Sequence, residues 1–185
     1  LERAADVMDG SLDLDELVGL AKALPLKASP IPKALGGKRV SIARDAAFDF
    51  SYPHLVTDIV ANGGQVTFFS PLKNEPVPHS DFVYLPGGYP ELYAASLANN
   101  TTFLDSIRKA TQTSDIYGEC GGYMVLGDSL IDANGVTHKM AGLLSLETSF
   151  ADRKLHLGYR TLSSADGWLS GEFSAHEFHY ATTIK

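Results

Sequence analysis

The sequence predicts an α/β fold: a mainly parallel sheet flanked by helices, followed by a more extended, partly antiparallel C-terminal part. Three observations carry this. Four short apolar runs alternate with helix-like segments between residues 39 and 126. Short buried strands separated by helices are the pattern of a parallel sheet covered on both faces. Glycine pairs punctuate the alternation at Gly63-Gly64, Gly87-Gly88 and Gly121-Gly122. From residue 128 the helical pattern gives way to extended segments, with Asn134-Gly135 between two strand-like runs as a hairpin signal.

Taken in order, Leu12, Leu14, Leu17, Val18, Leu20, Ala21 and Leu24 fall at mixed three- and four-residue spacings, with Asp13, Asp15 and Glu16 between them. This predicts a short helix, with Ser11 as N-cap and acids in its first turn. Pro25, Pro30 and Pro32 then forbid a continuous helix and make a stiff linker, closed by Gly36-Gly37-Lys38. A boundary is therefore placed near residue 36. Residues 1–36 are read as the tail of a preceding domain plus a linker, and 37–185 as one domain. The chain opens at Leu1 in a helix-like pattern and is read as a piece of something longer.

Beyond the boundary, strands are predicted at Arg39–Ala43, Gln65–Phe69, Phe82–Leu85 and Asp115–Gly118. Helices are predicted at Tyr52–Asn62, Pro90–Ala98, Thr102–Thr111 and from Gly121 through Leu126. Segments near Thr148, Tyr159–Leu162 and Glu172–Tyr180 read as extended.

Composition narrows the function. The 185 residues are 44% hydrophobic and 20% charged, with a formal charge of -7 and a pI near 5.2. That is the balance of a globular protein with a usable core. The acidity argues against nucleic acid or an anionic membrane as partner. No apolar run reaches membrane-spanning length and no signal peptide opens the chain. One cysteine excludes an internal disulfide and a Cys-rich zinc site, and fits a reducing, cytoplasmic setting. No histidine or acid cluster has metal-ligand spacing along the sequence, so no metal is expected. Gly36-Gly37-Lys38-Arg39 lacks the leading glycine and the Ser/Thr of a phosphate loop.

Cys120 is the centre of the chemistry. It falls where an apolar strand ends and a helix begins, framed by Gly118, Gly121 and Gly122. Small residues there permit a nucleophile elbow at the strand's carboxyl end. A helix N-terminus is expected to lower the thiol pKa. The competing reading is a buried structural cysteine. Gly87 and Gly88 follow the neighbouring strand, and their N–H groups with that of Gly121 could form an oxyanion hole. A base is needed. His176 and His179 lie at the end of an extended run, where alternation points them to opposite faces. His54, His79, His138 and His156 read as solvated surface histidines.

Together these residues resemble the class I (triad) glutamine amidotransferases, with Gly118-Glu119-Cys120-Gly121-Gly122 as the elbow. A closer resemblance is to the C-terminal half of the cobyrinic acid a,c-diamide synthase family. It runs from about residue 38 to the end. It is carried by the stretch from Ala43-Arg44-Asp45 to Tyr52-Pro53, by Phe69-Ser70-Pro71-Leu72 and by Gly87-Gly88-Tyr89-Pro90-Glu91-Leu92. Leu157-Gly158-Tyr159-Arg160 and His176-Glu177-Phe178-His179-Tyr180 complete it. Residues 1–24 resemble the last helices of that family's synthetase domain.

The resemblance implies a flavodoxin-like fold and a reaction. Glutamine is hydrolysed through a thioester on Cys120, and ammonia passes to the chain's own N-terminal synthetase domain. There ATP and Mg²⁺ activate the a and c carboxylates of a corrinoid precursor in cobalamin biosynthesis. No cofactor is expected in these 185 residues. The family's strand end makes His179 the base and puts Phe178 in the core. Ala181 stands where most triad enzymes have Glu, so Glu177 or a backbone group orients the histidine, or the unit is a dyad. His176 is the alternative base. Arg44, Asp45 and Tyr52 are candidates for binding substrate or meeting the synthetase domain, with a salt bridge within the loop as the competing reading of Arg44 and Asp45. Homodimerisation is compatible with the family. Alternatives stay open: the matching domain of cobyric acid synthase or nickel-sirohydrochlorin a,c-diamide synthase, a stand-alone cysteine hydrolase or stress protein of the same architecture, and a non-catalytic interaction domain.

Overall fold

A computed structural model describes residues 2–22, 35–165 and 170–185. The chain divides into two compact units, Leu1–Pro32 and Lys33–Lys185. The proline linker predicted over residues 25–33 lies outside the described residues.

The first unit holds α1 (Glu2–Asp9) and α2 (Leu14–Leu20). Asp13, not Ser11, caps α2: its Oδ1 accepts the Glu16 N–H at 2.9 Å. Ser11 is unavailable because its hydroxyl donates back to the Val7 carbonyl at 2.6 Å.

The second unit starts with β1 (Arg39–Ala43), α3 (Pro53–Ala61), β2 (Gln65–Phe69) and β3 (Phe82–Leu85). It continues through α4 (Ala94–Asn99), α5 (Thr101–Ala110), β4 (Asp115–Gly118) and α6 (Gly121–Leu126). The single helix expected over 90–98 begins as a 3₁₀ turn, Pro90–Tyr93, before α4. The four strands form one parallel sheet in the order β2-β1-β3-β4. β1 lies between β2 and β3, so the chain switches direction across the sheet beside β1. Ligands of such sheets bind beyond the strands' carboxyl ends.

Alternation along β3 shows why both faces are covered. Val83 and Leu85 enter a core with Phe103, Leu104 and Ile107 of α5 and Met124, Val125 and Leu126 of α6. Phe82 and Tyr84 enter a second core with Val40, Ile42 and Ile59 of α3. A strand buried on both sides has no polar face to show, which is why β3 reads as an unbroken apolar run.

After α6 come β5 (Ser129–Ile131), β6 (Thr137–Lys139), β7 (Glu147–Ser149), β8 (His156–Ser164), β9 (Gly171–His179) and β10 (Thr182–Thr183). β5 and β6 pair antiparallel across the Asn134-Gly135 turn, where Gly135 has φ 78°. They join β7 and β10 in a mixed sheet ordered β10-β7-β5-β6. β8 and β9 form a separate antiparallel ribbon. Among the described residues no helix is long and apolar enough to cross a membrane.

One close approach fixes the elbow's packing. A Cβ on Gly122 would overlap the Leu85 carbonyl group of β3. Gly122→Ala must therefore push α6 off the sheet. The expected loss is at least about 1–3 kcal/mol, the usual cost of overpacking, read from the urea midpoint at unchanged slope.

Candidate active site

Cys120 sits between β4 and α6 with φ 50° and ψ −112°. A side chain held there stores on the order of 1–3 kcal/mol of backbone strain. Neighbouring bonds over-determine it: Glu119 N–H donates to the Leu85 carbonyl at 3.0 Å, Gly122 N–H to the Glu119 carbonyl at 2.8 Å and Met124 N–H to the Cys120 carbonyl at 3.2 Å. The elbow predicted from the glycine frame is thus present in the backbone, and the thiol is exposed.

The backbone amides of Gly121 and Gly88 favour the Cys120 thiolate. Gly87 lies against the cysteine. Its carbonyl accepts the Phe50 N–H at 3.1 Å, and a Cβ there would come within 3.2 Å of the Cys120 Cβ. Its bareness lets the loop pass the cysteine. At Gly88 a Cβ would strike the Ala47 carbonyl, so the N–H can approach the sulfur only with glycine.

The thiol departs from expectation in its electrostatics. Desolvation raises the Cys120 pKa above the ordinary thiol value, with Glu119 and Glu91 adding to the rise. The Gly121 and Gly88 amides oppose this without overcoming it. The lowered pKa expected from a helix N-terminus is therefore corrected: α6 has six residues, and two carboxylates flank the sulfur.

Cys120 opens on a cavity of about 880 Å³ also lined by Tyr52, Arg160, His176, Glu177 and His179. His179 Nδ1–H donates to the Ala181 carbonyl at 2.9 Å, and Nε2 lies 2.8 Å from Glu177 Oε1. Glu177 also pairs with Arg160. His179 first, then Arg160, holds the Glu177 carboxyl below the ordinary glutamate value. Pairing of β8 and β9 explains the convergence: His156 lies opposite His179, Gly158 opposite Glu177 and Arg160 opposite Ala175, all on one face of the ribbon. His176 lies opposite Tyr159 on the other face. Phe178 is 57% exposed on that other face, which corrects its expected place in the core. A two-stranded ribbon has two faces, and the described elements bury only part of one.

The remaining candidates separate. Tyr52 donates its hydroxyl to Glu119 Oε1 at 2.6 Å, and Tyr84 donates to Oε2 at 3.2 Å. The Glu119 bond pushes the Tyr52 pKa up to about 12. Arg44 lies outside the cavity lining, with its guanidinium 3.6 Å from the centroid of the Phe68 ring. Asp45 accepts from Ala47 N–H at 2.9 Å, Ser70 Oγ at 2.8 Å and Leu72 N–H at 2.9 Å, so its carboxylate ties the loop together. Two histidines are not the solvated surface residues expected. His138 pairs with Asp132 at 2.9 Å, and His156 is half-buried with its ring stacked on His179 at 4.7 Å. Arg160, Glu119 and His156 carried no assigned role in the sequence. Strand register, which brings His156 and Arg160 to one face with Glu177, was the missing signal.

Similarity to known proteins identifies the family. The CobB/CobQ-like glutamine amidotransferase domain matches residues 39–185. Proteins named hydrogenobyrinate a,c-diamide synthase are similar over the whole chain. Identity is 50% over 193 residues in Brucella anthropi, 46% over 191 in Agrobacterium fabrum and 44% over 190 in Rhodobacter capsulatus. This chain spans 44% of the length of each. A solved structure described as a glutamine amidotransferase is similar with a TM-score of 0.49 and 14% identity, covering 79% of this chain and 74% of that one.

Proposed function

The chain belongs to the CobB/CobQ-like glutamine amidotransferase domain family, and from that premise we propose that it hydrolyses glutamine with Cys120 as nucleophile and His179 as base. One observation carries the reading: an exposed cysteine, held at φ 50° where a parallel strand meets a helix, opens on a cavity that His179 also lines, with the Gly88 and Gly121 backbone amides favouring its thiolate. An oxyanion formed at a carbonyl attacked by that sulfur would lie among the same donors.

Cys120 Sγ attacks the side-chain amide carbon of glutamine while its proton passes to His179. The C–N bond then breaks, and the proton returns from His179 to the leaving nitrogen, releasing ammonia and leaving a thioester. Water, deprotonated by His179, hydrolyses the thioester to glutamate and restores the thiol. With its Nδ1–H donated to the Ala181 carbonyl, His179 can take a proton only at Nε2, which must first leave Glu177 for the sulfur. The Ala181 backbone carbonyl, on Nδ1–H, is proposed to keep the ring oriented during that exchange, in place of the side-chain glutamate of most triad enzymes. The raised thiol pKa suits the order of events. Sulfur stays neutral at rest and becomes nucleophilic only when the base removes its proton.

In the whole protein the ammonia is proposed to serve an ATP- and Mg²⁺-dependent synthetase portion that amidates the a and c carboxylates of hydrogenobyrinate or cobyrinate, as the names of the relatives suggest. That would place the protein in cobalamin biosynthesis, in the cytoplasm. No cofactor is assigned to this chain.

Labelling tests the core of the reading. Iodoacetamide, with no affinity for the cavity, should alkylate Cys120 slowly at pH 7, and the rate should climb with pH to beyond the ordinary thiol range. A γ-diazoketone analogue of glutamine should modify Cys120 much faster at pH 7 and be blocked by glutamine, read by intact mass. Equal slow labelling by both reagents, indifferent to glutamine, would leave Cys120 a structural thiol.

A further inference from the structure

We propose that His156, Glu177 and His179 form a binding site for one divalent cation of the zinc class, and that occupancy switches off glutamine hydrolysis. The second half rests on the reading of His179 as base; the first does not. One ligand atom from each residue lies within 4.8 Å of the others. Strand pairing places His156 opposite His179, with Glu177 two residues away on the same face. The rings stand nearly parallel, 4.7 Å apart at an angle of 14°. Ligand atoms of a tetrahedral zinc centre lie about 3.3 Å apart, given bonds near 2.0 Å. Side-chain rotation that turns the two ring planes toward each other would close the set.

A separate observation points to a ligand. His156 Nε2 is shielded from solvent and has no hydrogen-bond partner among the described residues. Buried polar atoms are rarely left so. A cation held by all three residues would satisfy it. Two imidazoles and one carboxylate are the donor set of borderline divalent ions, and three protein ligands leave a position for water. Arg160, paired with the other Glu177 oxygen, competes with the ion for the carboxylate's charge. The ion would also hold the His179 lone pair, which could then no longer take the proton of Cys120.

Zn²⁺ alone, titrated against a chromogenic chelator, tests the site without glutamine. One ion should bind per chain. His156→Ala should weaken binding at least tenfold, the loss seen even for groups one shell further from a metal. His156→Phe, which keeps the stacked ring without Nε2, should weaken it equally. Arg160→Met should tighten it by freeing Glu177. Zn²⁺ should inhibit glutamine hydrolysis reversibly with EDTA, and His156→Phe should need at least tenfold more zinc for the same inhibition. Absence of binding, binding unchanged in His156→Phe, or binding lost only in Cys120→Ser would overturn the site. Zinc bound through these residues with full hydrolysis remaining would keep the site and overturn His179 as base.

Discussion

Cys120→Ser is expected to lower glutamine hydrolysis by about four to six orders of magnitude, the range found when a nucleophile is removed from a covalent mechanism. Serine keeps the size of the side chain, so the elbow at φ 50° and its three surrounding backbone bonds should persist. Thermal unfolding should therefore move little while activity disappears. The hydroxyl is a far weaker acid than the thiol, and His179 cannot activate it to the same degree. In a complete enzyme, amidation driven by added ammonia should continue, because only the source of ammonia is lost. Near-normal glutamine-driven turnover in the serine variant would refute the nucleophile assignment. Parallel loss of ammonia-driven amidation would instead point to a folding defect.

His179→Asn should cost about 10²–10⁴-fold in thioester formation, the usual contribution of a positioned acid–base group. His176→Asn should cost only a few-fold. Both histidines line the cavity, so proximity alone does not separate them. Their partners do. His179 is gripped at both ring nitrogens, by Glu177 and by the Ala181 carbonyl, whereas His176 lies opposite the 92% exposed Tyr159. A ring of fixed orientation suits directed proton transfer. The measurement is single-turnover acylation with a chromogenic glutamine amide. A larger loss in His176→Asn than in His179→Asn would reverse the roles while leaving Cys120 in place.

Much of the scaffold was legible because it depends on local chemistry. Apolar runs at residues 39–43, 65–69, 82–85 and 115–118 read as the strands of a covered sheet, and the central run 82–85 is buried on both faces. The glycines around residue 120 could only be a turn that brings backbones together. Cys120 was findable for the same reason: the elbow is written in five consecutive residues. Its electrostatics were not. Local reasoning saw a helix N-terminus and expected an easily ionised thiol, whereas Glu91, Glu119 and desolvation raise its pKa. Of these only Glu119 is adjacent in sequence, and desolvation is a property of what packs nearby.

Register decided the rest. Residues 159–162 and 172–180 each read as extended, yet nothing in either segment says which residue faces which. Pairing His156 with His179 fixed every other pair in the ribbon, since side chains alternate with a period of two. That single choice put Arg160, Glu177 and both histidines on one face, and left Phe178 on the other, exposed. The sequence by itself determined the strands and the elbow at Cys120, because each is encoded within a few residues. Only the tertiary structure decided how the thiol ionises and which groups hold the base, because long-range charge, solvent exclusion and strand register depend on residues far apart in the chain.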